Sequence, residues 1–104
     1  MGLDFSVKAW AYNTVINENI THNLVDMWEK AGIYDVLYNS NGEKVKHILG
    51  ALEKGYADMY DNPEEYRKLD SPNGWGTYVD AMYWLKNLIQ QMKQYPDGII
   101  GIDK

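Results

Sequence analysis

Residues Leu3 to Tyr12 alternate. Leu3, Phe5, Val7, Ala9 and Ala11 fall on one face; Asp4, Ser6, Lys8, Trp10 and Tyr12 fall on the other. A period of two over such a run predicts a half-buried strand. Trp10 and Tyr12 make the second face aromatic near its end, so that end is expected to be covered. Asn13 to Asn19 carries three Asn and reads as a loop.

Helical spacing then takes over. Asn and Thr are good N-caps, because their side-chain oxygens accept the first free N–H groups. A helix is therefore predicted to begin near Asn19-Ile20-Thr21-His22-Asn23, with Leu24, Met27, Trp28 and Ala31 on its apolar side and Gly32 ending or bending it. Ile33 to Tyr38 fits one or two further turns, and Asn39-Ser40-Asn41-Gly42 is a loop. A longer helix fits Glu43 to Tyr60, with a stripe of Val45, Ile48, Leu49, Leu52, Tyr56 and Met59. Gly50 and Gly55 weaken that helix by about 1 kcal/mol each relative to Ala, and are read as places where another element approaches closely.

Asp61-Asn62-Pro63-Glu64-Glu65 is a helix-start signal, with Pro in the first turn and early acids, and predicts a short helix to about Leu69. The strongest helix is predicted over Thr77 to Tyr95. Its buried stripe is read as Val79, Met82, Leu85, Ile89 and Met92, widened by Tyr83 and Leu88. Pro96-Asp97-Gly98 stops it, and Ile99-Ile100-Gly101-Ile102 reads as a second strand. The fold class predicted is α+β: one domain over residues 1–104, with the N- and C-terminal strands paired in a small antiparallel sheet against three or four helices. A two-stranded sheet is marginal alone, and an exposed edge recruits partners, so a homo-oligomer, dimer or higher, is expected.

Composition narrows the function classes. The chain has no cysteine, which excludes disulfides and thiolate metal sites and fits a reducing cytoplasm. Net charge is −5 and Arg67 is the single arginine, so there is no basic stripe for a DNA or RNA backbone. No apolar run approaches membrane-spanning length. Met1-Gly2-Leu3-Asp4-Phe5-Ser6 matches the N-myristoylation pattern formally, but Gly2 reads better as the residue before a strand. Four Trp and nine Tyr against one Phe is an unusual balance. These side chains have an apolar body and a polar handle, which suits a small core, a cavity lining or an oligomer contact.

The most informative segment is Ser71-Pro72-Asn73-Gly74-Trp75-Gly76-Thr77-Tyr78. Pro and the paired Gly demand a turn, yet the turn carries a large aromatic. Together with an Asn-x-Thr-x-Asn block (Asn19, Thr21, Asn23), a Met-x-x-x-Pro-x-x-Tyr stretch (Met59, Pro63, Tyr66) and a Pro before an isoleucine-rich strand (Pro96, Ile100, Ile102), it resembles a family of small, mostly uncharacterised phage and prophage proteins. The Asn-Gly-Trp-Gly-x-Tyr block (Asn73, Gly74, Trp75, Gly76, Tyr78) is the specific part. Where that family often has a spacer between Asn-Pro and Asn-Gly, Pro72 here abuts Asn73, which makes the loop one residue tighter. The resemblance implies a phage origin and the cytoplasm of a bacterial host, and by itself implies no activity.

Both polar blocks are expected at helix starts, where free N–H groups and a partial positive charge suit an anion. Candidate ligand-binding residues are Asn19, Thr21, His22 and Asn23 at one start, and Asn73, Gly74, Trp75, Gly76, Thr77 and Tyr78 at the other, with Trp75 or Tyr78 stacking on a base. If the fold brings these corners together, they form a site for a nucleotide-like small molecule. In a phage protein this predicts sequestration of a nucleotide-derived host immune signal.

The structural alternative is equally concrete: Asn19 and Thr21 as caps, Asn73 as a turn residue, Trp75 as a core plug. Asn19-Ile20-Thr21 also fits the glycosylation sequon, without meaning in a bacterial cytoplasm. His22 is a candidate acid or base and His47 a solvated residue. Two distant His without Cys make no metal site, and Glu64-Glu65 with Asp58 and Asp61 read as surface charge. No cofactor and no catalytic constellation are predicted, which ranks an enzyme last. The competing function is inhibition of a host defence or regulatory protein through an acidic, Tyr-rich surface.

Overall fold

The computed structural model describes residues 2–10 and 13–104. Strand β1 (Gly2–Ala9) is followed by β2 (Asn13–Thr21) and a 3-10 turn (His22–Leu24). Helices α1 (Val25–Lys30), α2 (Tyr34–Tyr38), α3 (Val45–Asp61), α4 (Pro63–Arg67) and α5 (Tyr78–Met92) then lead to β3 (Ile99–Asp103). The fold is α+β. The N- and C-terminal strands pair antiparallel, with Phe5 opposite Ile102 and Val7 opposite Ile100.

The sheet has three strands, in the order β2-β1-β3. The loop expected over Asn13–Asn19 is strand β2. Its pairing sets Ile16, Glu18 and Ile20 opposite Val7, Phe5 and Leu3, on the face that meets the helices. Asn17 and Asn19 lie on the opposite face, across from Ser6 and Asp4. The alternation is real, but a charged residue holds one of its apolar places and Asn is a poor strand former, so the pattern is concealed.

The predicted first strand ends early. Trp10 has φ of 46°, in the left-handed region, and turns the chain into the hairpin that pairs Ala9 with Asn13. Its side chain, expected to be covered, is 74% exposed and touches Tyr95 edge-on at 5.4 Å. Ala11, Tyr12 and Met1 lie outside the described residues.

The helices cover the face formed by Leu3, Phe5, Val7, Ile16 and Ile100, all buried. At about 1.5–3 kcal/mol for each large apolar side chain removed from water, this face and the helix stripes supply the main stabilisation. On α3 the buried positions are Val45, Ile48, Leu52, Gly55 and Met59, close to the predicted stripe. Gly55 permits a close approach: a Cβ there would lie 2.3 Å from Ile33 Cγ2. Gly50 faces open space instead, so only one of the two glycines has the packing role expected.

On α5 the stripe is rotated. Tyr78, Ala81, Trp84, Leu85, Leu88, Ile89 and Met92 are buried, while Val79 and Tyr83, read from the sequence as core, are 61% and 71% exposed. The first half of α5 is apolar on both faces, so periodicity alone does not say which face the core takes.

The two outer strands differ at their free edges. β3 is covered: Gly42 N donates to Ile100 O at 2.8 Å, Ile100 N to Glu43 O at 2.9 Å and Ile102 N to Asn41 Oδ1 at 2.9 Å. β2 has β1 as its neighbour and no second strand among the described residues. Among the described residues no helix is long and apolar enough to cross a membrane.

Candidate functional site

The Ser71–Thr77 loop closes on itself through short-range bonds. Asn73 Oδ1 accepts from Trp75 N at 2.9 Å and from Ser71 Oγ at 2.6 Å. Gly74 N donates to Ser71 O at 3.1 Å and Ser71 N to Gly76 O at 3.2 Å. Gly74 and Gly76 have φ of 76° and 99°, where only glycine is unstrained. The turn throws the Trp75 indole outward, 71% exposed. It is not a core plug.

This loop meets the other polar block directly. Asn23 Nδ2 donates to Trp75 O at 2.9 Å. A Cβ on Gly76 would lie 3.0 Å from Asn23 Cβ and 3.2 Å from Thr21 Cγ2. The two corners singled out in the sequence are therefore neighbours in space.

Their helix starts, however, are capped from within the protein. Thr21 Oγ1 accepts from Asn23 N at 3.2 Å. Thr77 and Asp80 form a reciprocal capping box, Thr77 Oγ1 accepting from Asp80 N and Asp80 Oδ2 from Thr77 N, each at 3.3 Å. Asp70 Oδ1 accepts from Tyr78 N at 2.6 Å. The amides of Asn23, Gly74, Trp75, Thr77, Tyr78 and Asp80 already have acceptors within the protein, and at the second corner two of these acceptors are carboxylates. The Thr77-x-x-Asp80 spacing is a signal the sequence carried and that the anion reading passed over.

Two cavities flank the loop. The larger, an open groove of about 690 Å³, runs between β2 and α5. Gly2 and Glu18 to Thr21 form one wall, Asp80, Tyr83, Trp84 and Asn87 the other, and Gly74 to Gly76 close one end. Its ionisable lining includes the carboxylates of Glu18 and Asp80 and no Lys, Arg or His. Gln91 Nε2 reaches Glu18 Oε2 at 3.4 Å. Tyr83 and Trp75 stand exposed at its rim, with Val79 one turn before Tyr83 on the same helix. Trp84 is buried, and its Nε1–H has no acceptor among the described residues.

The smaller cavity, about 450 Å³, lies between the His22–Asp26 segment and Lys68–Pro72. His22 Nδ1 is 2.8 Å from Tyr38 Oη. Burial, with Tyr34 beside it, pushes the Tyr38 phenol up to about 12, so it keeps its proton at neutral pH.

The ten candidate residues thus divide. Asn19, Thr21, Gly74, Trp75 and Gly76 line the groove. His22 and Asn23 line the smaller cavity. Asn73 and Thr77 hold the loop and the start of α5. Tyr78 is buried, its Oη donating to Met59 O at 2.7 Å under the Arg67 guanidinium; it anchors α5 and cannot stack on a ligand. Asn19 is a strand residue and not a helix cap, its Nδ2 donating to Asp4 Oδ1 at 2.6 Å. Glu18, Asp80, Tyr83, Trp84 and Asn87 are groove residues that sequence reasoning did not select. Among the described residues there is no group of three or more His, Asp or Glu placed to hold a metal ion.

Comparison with protein-family models, with curated proteins and with solved structures finds no match.

Proposed function

We propose that the chain is a binding protein that occupies a partner protein, taking a basic segment of that partner into the groove between β2 and α5. The observation that carries this reading is the groove's lining: carboxylates of Glu18 and Asp80 beside Trp75, Tyr83 and Trp84, with no Lys, Arg or His among the described lining residues. Carboxylates repel phosphate and attract Lys or Arg. Aromatic faces add cation–π attraction of about 0.5–2 kcal/mol. Exposed aromatics are also what protein interfaces use as anchors. The phage-family resemblance supports a host protein as the partner and the host cytoplasm as the place.

A second reading keeps a specific observation in its favour. The Trp75 indole is open, and its loop is tied to Thr21 and Asn23, which gives a platform for a flat heteroaromatic such as the base of a nucleotide-derived immune signal. In that case the ligand's phosphates lie outside the groove.

Titration of the protein with hexalysine, hexaglutamate, cyclic dinucleotides and ADP-ribose, followed by calorimetry and tryptophan emission, separates the two. The expected result is binding of hexalysine alone. That binding should weaken steeply as salt rises from about 50 to about 500 mM, because the added ions screen surface charge. Glu18→Gln with Asp80→Asn is expected to weaken it about tenfold, a 1.4 kcal/mol effect. Asp61→Asn with Glu64→Gln, which removes the same charge elsewhere, leaves it within twofold. Nucleotide heat without hexalysine heat favours the second reading, and equal effects of the two double variants on hexalysine binding remove the groove as its site.

A further inference from the structure

Four consecutive residues of β2, Glu18 to Thr21, line the groove. In a strand, successive side chains point to opposite faces. A cavity that touches residues from both faces wraps round the strand: this one reaches the Gly2/Thr21 end of the β1–β2 pair and borders β2, whose outer edge has no strand beside it among the described residues. β3's edge is closed by the 41–45 segment, so the contrast between the two ends of the sheet belongs to this fold.

We infer that the partner segment docks as an added fourth strand on the open edge of β2, carrying Lys or Arg at alternate positions that enter the groove. This rests on the reading of the groove as a protein-binding site and names how it binds. Strand addition supplies main-chain hydrogen bonds for affinity and pockets for every second side chain for specificity. The edge from Glu18 to Thr21 is about 13 Å long at about 3.3 Å per residue, enough for alternate positions of a short segment.

The occupant's chemistry follows from Glu18. An exposed strand edge invites indiscriminate pairing, and an inward-pointing charge is one of the devices that prevents it. Glu18 is such a charge: it holds a place between Ile16 and Ile20 on the core-facing side of the edge strand, opposite Phe5. An apolar strand laid beside it strands a carboxylate. A strand with Lys or Arg there completes it, and Asp80 on the opposite wall offers the same to a neighbouring basic position.

The probe is a blocked eight-residue peptide of alternating lysine and threonine, with two derivatives methylated on the backbone nitrogen of either every lysine or every threonine. Along a strand, alternate amides point to the same side, so one derivative should bind at least tenfold more weakly than the parent and the other within threefold. In hydrogen exchange, one alternate set of β2 amides between Glu18 and Thr21 should slow when the parent binds. If both derivatives bind like the parent, or both lose binding equally, strand addition is wrong while the acidic groove stands. If the parent itself does not bind, both readings fall. Light scattering showing a dimer with those amides already slow in the free protein overturns the inference in favour of a second copy as occupant.

Discussion

Asn23 and Trp75 are 52 residues apart in sequence, and the Asn23 side-chain amide holds the Trp75 carbonyl at 2.9 Å. That bond fixes the glycine-flanked loop against the end of β2 and leaves the indole facing outward. An exposed neutral hydrogen bond contributes about 0.5–1.5 kcal/mol. Asn23→Ala should lower stability by about 1 kcal/mol in urea denaturation and loosen the Trp75 loop, read as faster amide exchange at Gly74–Gly76. Unchanged exchange there would mean that the tie does not order the loop.

The two glycines beside Trp75 should respond differently to the same change. Gly74 has φ of 76° with open space where a methyl would stand, so Gly74→Ala carries only the left-handed penalty, about 1–2 kcal/mol. Gly76 has φ of 99° and its Cβ would press on Asn23 and Thr21, so Gly76→Ala adds crowding to backbone strain. Gly76→Ala should be the more destabilising by about 1 kcal/mol or more. Equal midpoints in chemical denaturation would refute the close packing of the two blocks.

A second glycine pair tests the core. Gly50→Ala adds a methyl in open space within α3 and should stabilise by up to about 1 kcal/mol. Gly55→Ala drives a methyl to 2.3 Å from Ile33 Cγ2 and 3.2 Å from Ala31 O, and should destabilise by about 2 kcal/mol or more. Thermal melts that shift in the same direction for both variants contradict the placement of α3 against Ile33.

Alkaline pH should unfold the protein in a definite window. Burial raises the Tyr38 phenol from 10.0 to about 12, and burial with the bond to Asp58 raises Tyr66 still further. Both groups are therefore held neutral in the fold, while in the unfolded chain they ionise near pH 10. The unfolded state binds fewer protons above that pH, so their contribution is complete below pH 10 and declines as pH rises from 10 towards 12 and beyond. Tyr38→Phe should flatten the decline in denaturation free energy between pH 10 and 12. A profile as steep as that of the parent protein assigns the loss to other groups.

Much of the fold was legible because its signals are local. The alternation from Leu3 to Ala9, the stripe of α3, Pro63 at the start of α4 and the stop at Pro96-Asp97-Gly98 each lie within one turn, strand or helix. Strand β2 was not legible, since Glu18 interrupts the alternation on its core-facing side and Asn17 and Asn19 read as turn residues. For the site, polar and glycine content singled out the Asn19–Asn23 and Asn73–Tyr78 segments, but their meeting was only a condition of the ligand reading; the Asn23–Trp75 bond is what brings them together. The site's charge was not anticipated. Glu18 and Asp80 are ordinary residues in sequence, and only their presence on facing walls makes the groove acidic. Asp80 could have been noticed from its spacing to Thr77. Tyr83 is spaced like a core residue, and nothing local tells that it points away.

The amino-acid order by itself determined the α+β class, the pairing of the first and last strands and a turn built on two glycines, because backbone sterics and apolar periodicity act over a few residues. Tertiary packing alone decided which face of α5 is buried, that β2 keeps an open edge beside the aromatic groove, and that two carboxylates share that groove. Those properties depend on which distant segments come within a few ångströms, and distance through space is not written in distance along the chain.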